Sequence, residues 1–178
     1  MACPMLVAIT GTPGTGKTSA GEVLAARGYA VVDLDEAARR EGCIAGRDEA
    51  RGSDEVDVDA LRTRLRVPAK LAFLRAHYSH RMPVNLAVVL RCRPSVLRVR
   101  LEGRGWAREK VRENVEAEAI DVITQEAVEE GIPFVFELDT TDLTPVQAAD
   151  GILGILQGRT SGREPGSVDW SEEVLSWY

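Results

Sequence analysis

The stretch from Leu6 to Thr18 constrains this chain more than any other. Leu6-Val7-Ala8-Ile9-Thr10 is a short, mostly apolar run that reads as a buried strand. Gly11-Thr12-Pro13-Gly14-Thr15-Gly16-Lys17-Thr18 then fits G-x-x-x-x-G-K-[ST] at every fixed position. Ser19, Ala20, Val23 and Leu24 recur at helical spacing beyond it. Strand, glycine-rich loop and helix are the context in which this motif cradles phosphate. Its glycines let backbone N–H groups approach an anion, and the helix dipole adds attraction. Lys17 reaches toward the outer phosphates, and the Thr18 hydroxyl is a ligand for Mg²⁺. A dinucleotide fingerprint fits worse, because Ser19 stands where its third glycine belongs.

The chain of 178 residues is long enough for one α/β domain with a sizeable core. A net charge of −6 argues against general adhesion to nucleic acid, and no sequence-specific nucleic-acid binding is expected. Cys3, Cys43 and Cys92 show no C-x-x-C spacing, which suits reduced thiols and a cytoplasmic setting. No apolar run is long enough for a bilayer, so no membrane partner is expected.

Further strands are expected at Tyr29–Val32, Leu71–Leu74, Val84–Leu90 and Phe134–Leu138. Asp33 and Asp35 follow the second strand, at the edge where open α/β sheets bind ligands. Asp33 reads equally as a contact to the Mg²⁺ water shell and as a helix cap; Asp35 reads as a cap. Residues 36–56 are dense in charge and read as a mobile lobe with little core, or as a solvated helix pair. Val58, Leu61 and Leu65 mark a helix. His77 and His80 lack the Cys or His companions of a zinc site and read as a polar loop. Pro94 opens a helix that Gly103-Arg104-Gly105 breaks. A long helix then turns Val111, Val115 and Val122 inward, and its acids would suit a basic partner. Thr144 and Pro145 start a last helix with Val146, Ala149, Leu153 and Leu156 as its buried stripe. Residues 159–178 read as a linker and a tail, with Trp170 and Trp177 docking back on the domain. The order of elements makes an α/β P-loop NTPase fold, a five-stranded parallel sheet with helices on both faces.

Several landmarks together resemble the small adenylate kinase/ATPase family of archaea and eukaryotes linked to small ribosomal subunit maturation. They are the loop 11–18, the acidic segment 48–53, His77-Tyr78-Ser79-His80, and Arg104-Gly105-Trp106 with Lys110, Asn114, Glu116 and Glu118. The resemblance implies a nucleoside monophosphate kinase architecture: a kinase domain over 1–158, a monophosphate-binding lobe near 33–56 and a lid near 103–113. It implies that Gly14, Gly16, Lys17, Thr18 and Ser19 hold ATP, that Arg104 is the lid arginine, and that Arg39 serves AMP. It also implies transfer of the γ-phosphoryl of Mg·ATP to AMP, and ATP hydrolysis when a small-subunit ribosomal protein is engaged. One position departs. Arg75 stands where the family has the acid that orients the Mg²⁺ hydration shell, and Asp33 is the expected substitute. Two other readings compete. Asp33-Leu34-Asp35 resembles the D-x-D of shikimate kinases, although no Gly-Gly-Gly loop follows strand three. The chain could also be an ATP-dependent ribosome assembly factor with little kinase activity.

Overall fold

The computed structural model describes residues 4–48 and 52–177; Cys3 and the middle of the acidic segment 48–53 lie outside them. Strand β1 (Met5–Thr10) runs through the middle of a parallel sheet, between β5 (Leu71–Arg75) and β6 (Leu86–Arg91). The edges are β2 (Ala30–Asp33) beside β5 and β7 (Phe134–Asp139) beside β6. The order β2-β5-β1-β6-β7 reverses direction at β1, so the carboxyl end of β1 is the switch point where such sheets open a crevice. All six residues of β6 are buried, as a strand covered on both faces requires.

Side-chain alternation divides the core. Val7 and Ile9 of β1 join Phe73, Val88 and Leu90 under helices α1 (Lys17–Ala26) and α7 (Pro145–Leu156). Ala8 joins Leu74, Ala87 and Val89 on the other face, beneath α2 (Leu34–Arg40), α3 (Val58–Arg64) and α6 (Val122–Glu129). A third cluster joins α4 (Pro94–Glu102) to α5 (Arg108–Ala119) through Leu97, Leu101, Val111 and Val115. Hence the sheet carries helices on both faces, as the order of elements requires.

Four local expectations need correction. In its described residues the segment 36–56 is neither coreless nor a helix pair: Ala37 and Ala38 of α2 and Cys43 after it are buried, and the antiparallel strands β3 (Ile44–Asp48) and β4 (Ser53–Val56) follow. Small alanines let α2 sit close on the sheet, so few large side chains are needed. The helix cap is Asp33, which accepts from Glu36 N at 3.0 Å; Asp35 lies inside the first turn of α2. The long helix after 108 ends at Ala119, because Asp121 adopts φ 60° and α6 begins anew at Val122. No glycine or proline marks that break; Asp is one of the few residues that tolerates this conformation. On α7, Ala148, Ala149, Ile152 and Ile155 form the buried stripe, whereas Val146 is exposed. The Thr144–Gln147 capping box fixes where that helix starts.

The C-terminal residues fold back on the domain. Glu137 N donates to Arg163 O at 2.7 Å, and a short helix α8 (Ser171–Leu175) lies beside the start of α4, where Ser95 N donates to Glu173 Oε1 at 2.6 Å. Trp170 is buried, while Trp177 remains partly exposed. No helix among the described residues is long and apolar enough to cross a membrane.

Candidate active site

The glycine-rich loop leaves β1 and enters α1 at the switch point. At Gly11 (φ 129°) a Cβ would lie 2.3 Å from the Leu90 carbonyl oxygen. At Gly14 (φ 97°) it would lie 2.7 Å from Leu97 and 2.9 Å from Leu101. Both positions therefore require glycine, the first for approach to β6 and the second for packing under α4. The loop is held from below. The Thr140 hydroxyl lies 2.7 Å from Thr15 O and 2.8 Å from Arg91 O, and Arg100 Nη2 donates to Thr141 O at 2.8 Å.

A cavity of about 660 Å³ opens above this loop, within the range that holds a small organic ligand. Gly14, Gly16, Lys17, Thr18, Ser19 and Asp33 all line it, and so does Arg104. Arg104 belongs to the turn between α4 and α5. Arg39 is the exception among the residues singled out from sequence. It does not line the cavity but pairs with Asp54 at 2.8 Å, tying α2 to β4.

Lys17 folds back on its own loop, its ammonium donating to Gly11 O at 2.6 Å and Thr12 O at 2.9 Å. Burial above all, with the nearby positive charge of Arg104 adding to it and Glu118 opposing both, pushes its pKa down to about 7. An anion entering the loop would supply the missing counter-charge and raise that pKa. The sign of the linkage follows. Below pH 7 Lys17 is already protonated; above pH 7 it must take up a proton as the anion binds. We expect the Kd for Mg·ATP to rise as pH goes from 7 to 9, by up to about ten-fold per unit. Calorimetry in buffers of different ionisation enthalpy should show proton uptake approaching one at the upper end.

The Asp33 side chain is fully engaged. One oxygen caps α2, and the other pairs with Arg75, its register partner on β5. The strand-end arginine thus has its counter-ion beside it. Asp35 also lines the cavity and accepts the Tyr78 hydroxyl at 2.9 Å on one oxygen; its second oxygen makes no hydrogen bond among the described residues. Thr18 and these two carboxylates are hard oxygen donors that line the same cavity, which suits Mg²⁺ with retained water. His80 is not part of a polar loop. It is buried, with Nδ1 2.9 Å from the Thr10 hydroxyl and Nε2 3.1 Å from Glu126. Among the described residues no cluster could hold a metal through His, Cys, Asp or Glu alone.

Three features escaped the sequence reading. Asp35 faces the cavity rather than capping a helix. Lys110 and Asn114, named from sequence only as landmarks of the resemblance, line the cavity together with Glu113 and Ala117; their spacing along α5 puts all of them on one face, and that was the available cue. The third is a buried charge cluster behind the loop. Arg91, 1% exposed, meets Glu118, Asp121 and Glu137. Nothing in a lone arginine at the end of an apolar run points to that.

Fold and site together define an α/β protein of the P-loop class: the parallel sheet, the loop at its switch point, and a cavity lined by Lys17 and Arg104. Among solved structures, shikimate kinase from Acinetobacter baumannii in complex with shikimate matches at TM-score 0.56 and 16% identity, covering 88% of this chain and 94% of that one. At that identity the likeness is one of fold alone. The family model described as an AAA domain matches residues 7–121. A "Putative adenylate kinase" of Archaeoglobus fulgidus is 42% identical over 173 residues, 96% of this chain and 94% of that protein. Another so named, from Pyrococcus abyssi, is 44% identical over 171 residues, 94% of this chain and 92% of that protein. The chain belongs to this family of archaeal proteins, within the AAA domain group.

Proposed function

We propose that this protein is an adenylate kinase, transferring the γ-phosphoryl group of Mg·ATP to AMP to give two ADP. The observation that carries the reading is the convergence of Lys17, Thr18 and Arg104 on one cavity above the phosphate loop, in a chain whose close relatives bear the adenylate kinase name. In this reading Gly14, Gly16 and Ser19 present backbone N–H groups to the triphosphate. Lys17 leaves the Gly11 and Thr12 carbonyls for the outer phosphates, and Arg104 closes onto the transferring group. An AMP phosphate oxygen attacks the γ-phosphorus as the bond to the β,γ-bridging oxygen breaks, and that oxygen leaves on ADP. The nucleophile is already an anion, so no general base is required; the protein's work is positioning and charge neutralisation. Bound Mg²⁺, held through Thr18 and water, would neutralise charge on the β- and γ-phosphates. Residues 103–113 serve as the lid and 33–56 as the monophosphate side, with Arg39 reaching AMP only if its pair with Asp54 opens.

The assay that tests this is ATP with each of AMP, GMP, CMP and UMP, beside ATP alone. ADP formation with AMP at a rate well above the others supports the reading; no acceptor-dependent ADP rejects it. A second reading, the ATPase of small ribosomal subunit maturation in partnership with a ribosomal protein, draws on Arg75 standing where a magnesium-orienting acid is expected. Phosphate release from ATP alone, stimulated by small-subunit ribosomal proteins, would favour it.

Asp33 holds Arg75 and lines the cavity, and in this reading it orients the water shell of the metal. We expect Asp33→Asn to lower kcat by ten-fold or more and to raise the Mg²⁺ concentration needed for half-maximal rate. Near-normal turnover would move the role to Asp35.

A further inference from the structure

Behind the phosphate loop, one carboxylate gathers contacts from three parts of the chain. Glu118 is 2% exposed. Its Oε2 accepts the hydroxyl of Thr12, inside the loop, at 2.7 Å. Its Oε1 accepts Arg91 Nε at 2.7 Å, Cys92 N at 3.1 Å, and the indole Nε1–H of Trp170 at 3.3 Å. Trp170 lies 52 residues further on, in the C-terminal segment. That segment reaches the same cluster a second time. Glu137 pairs with Arg91 through Oε1, while its Oε2 accepts Val168 N at 3.0 Å. Burial of the Trp170 ring accounts for only part of the arrangement. The helix that follows Trp170 buries no residue, and Leu175 is 73% exposed. The segment contributes little core, yet it places one N–H donor on the carboxylate that holds the loop.

We propose that Trp170 and Glu118 are positioning residues for the phosphate loop. The Trp170 indole fixes the Glu118 carboxylate, Glu118 holds Thr12, and the C-terminal segment is thereby part of the nucleotide site. The inference rests on the reading of this loop as the ATP site. A carboxylate held by several donors cannot swing, so its remaining oxygen presents Thr12 in one orientation. Glu118 is also the main charge favouring protonated Lys17, so the same side chain prepares the loop's shape and its cation.

The test is a double-mutant cycle on the full chain, read by calorimetric binding of magnesium with the β,γ-imido analogue of ATP. Trp170→Phe removes the N–H together with the five-membered ring that carries it, and Trp177→Phe makes the same truncation at a tryptophan that does not reach Glu118; Thr12→Val removes the loop hydroxyl. We expect Trp170→Phe to weaken binding about five-fold and Thr12→Val about ten-fold, the size of one ordinary net hydrogen bond. The double variant should bind no more weakly than Thr12→Val alone, because both act through one carboxylate. Trp177→Phe should bind as the wild type does. Additive losses, or wild-type affinity in Trp170→Phe, overturn the inference and leave the ATP site standing. A wild-type chain that does not bind the analogue overturns both. If Trp170→Phe fails to fold, the wild-type protein still decides. The indole N–H resonance of Trp170 should shift on saturation with the analogue while that of Trp177 does not, and an unmoved Trp170 resonance overturns the inference.

Discussion

Lys17→Met should abolish ATP-dependent phosphoryl transfer, by about a thousand-fold or more, and yet make the ligand-free protein more stable at pH 6. The two effects share one cause. The ammonium lies against loop carbonyls with its pKa pushed to about 7, so the empty site carries a cation it does not fully satisfy. A drop from 10.5 to about 7 corresponds to roughly 5 kcal/mol if the group were wholly shut from water. Lys17 is only half-buried and keeps two hydrogen bonds, so we expect a net gain of about 1–2 kcal/mol for the methionine variant. Between pH 7 and 10.5 the unfolded chain holds the proton and the folded one does not. Stability of the wild type therefore rises with pH across that window, and the advantage of Lys17→Met fades toward pH 10.5. Thermal unfolding midpoints of both proteins at pH 6 and pH 9 give the comparison. A variant less stable than wild type at pH 6 would mean the ammonium is at ease in the empty loop. The loss of activity follows from removing the one side-chain cation the loop itself supplies to the triphosphate.

Arg91→Leu carries the largest expected cost in stability. Arg91 reaches Glu118 through Nε, Glu137 through Nη1, and Asp121 and the Glu118 carbonyl through Nη2. Burial works against its charge, but the three carboxylates outweigh that and hold its pKa above the ordinary arginine value. A leucine would leave them facing one another in the interior, with only hydroxyl, indole and backbone donors. Removing one partner of a buried ion pair typically costs about 3–5 kcal/mol, and here three anions lose the same cation. For a chain of this size that is a fall of roughly 10–15 °C in the unfolding midpoint. Acidification lets the stranded carboxylates take up protons, so the deficit should narrow from pH 7 to pH 5. A deficit of 1 kcal/mol or less, unchanged with pH, would show that the cluster is satisfied by its other donors. Arg91→Lys keeps the charge without the fork and should fall between the two.

What could be read in the chain beforehand was what depends on neighbours in sequence. The loop at 11–18, the alternation of buried strands and the capping signals at Thr144 are local patterns, and the parallel sheet follows from their order. The cavity residues Lys17, Thr18 and Arg104 were visible because each sits at a glycine-marked turn. Asp33 rather than Asp35 caps α2 because the helix starts two residues earlier than a cap at Asp35 would require, and that turns Asp35 toward the cavity. Val146 left the buried stripe of α7 for a similar reason, since a small rotation changes which residues face the sheet. The Arg91 cluster was illegible for a different cause. Its members come from β6, α5, the turn after it and β7, and only tertiary packing brings them together. The break at Asp121 belongs to the same event, since that residue carries its carboxylate to Arg91.

The most direct test of the account follows labelled phosphate. ATP carrying label in its γ-phosphoryl group is mixed with magnesium, unlabelled AMP and the protein, and the products are separated by chromatography. The account predicts label in the β-position of ADP, at a rate that Lys17→Met removes. Label appearing only as inorganic phosphate, or transfer that persists in Lys17→Met, would contradict it.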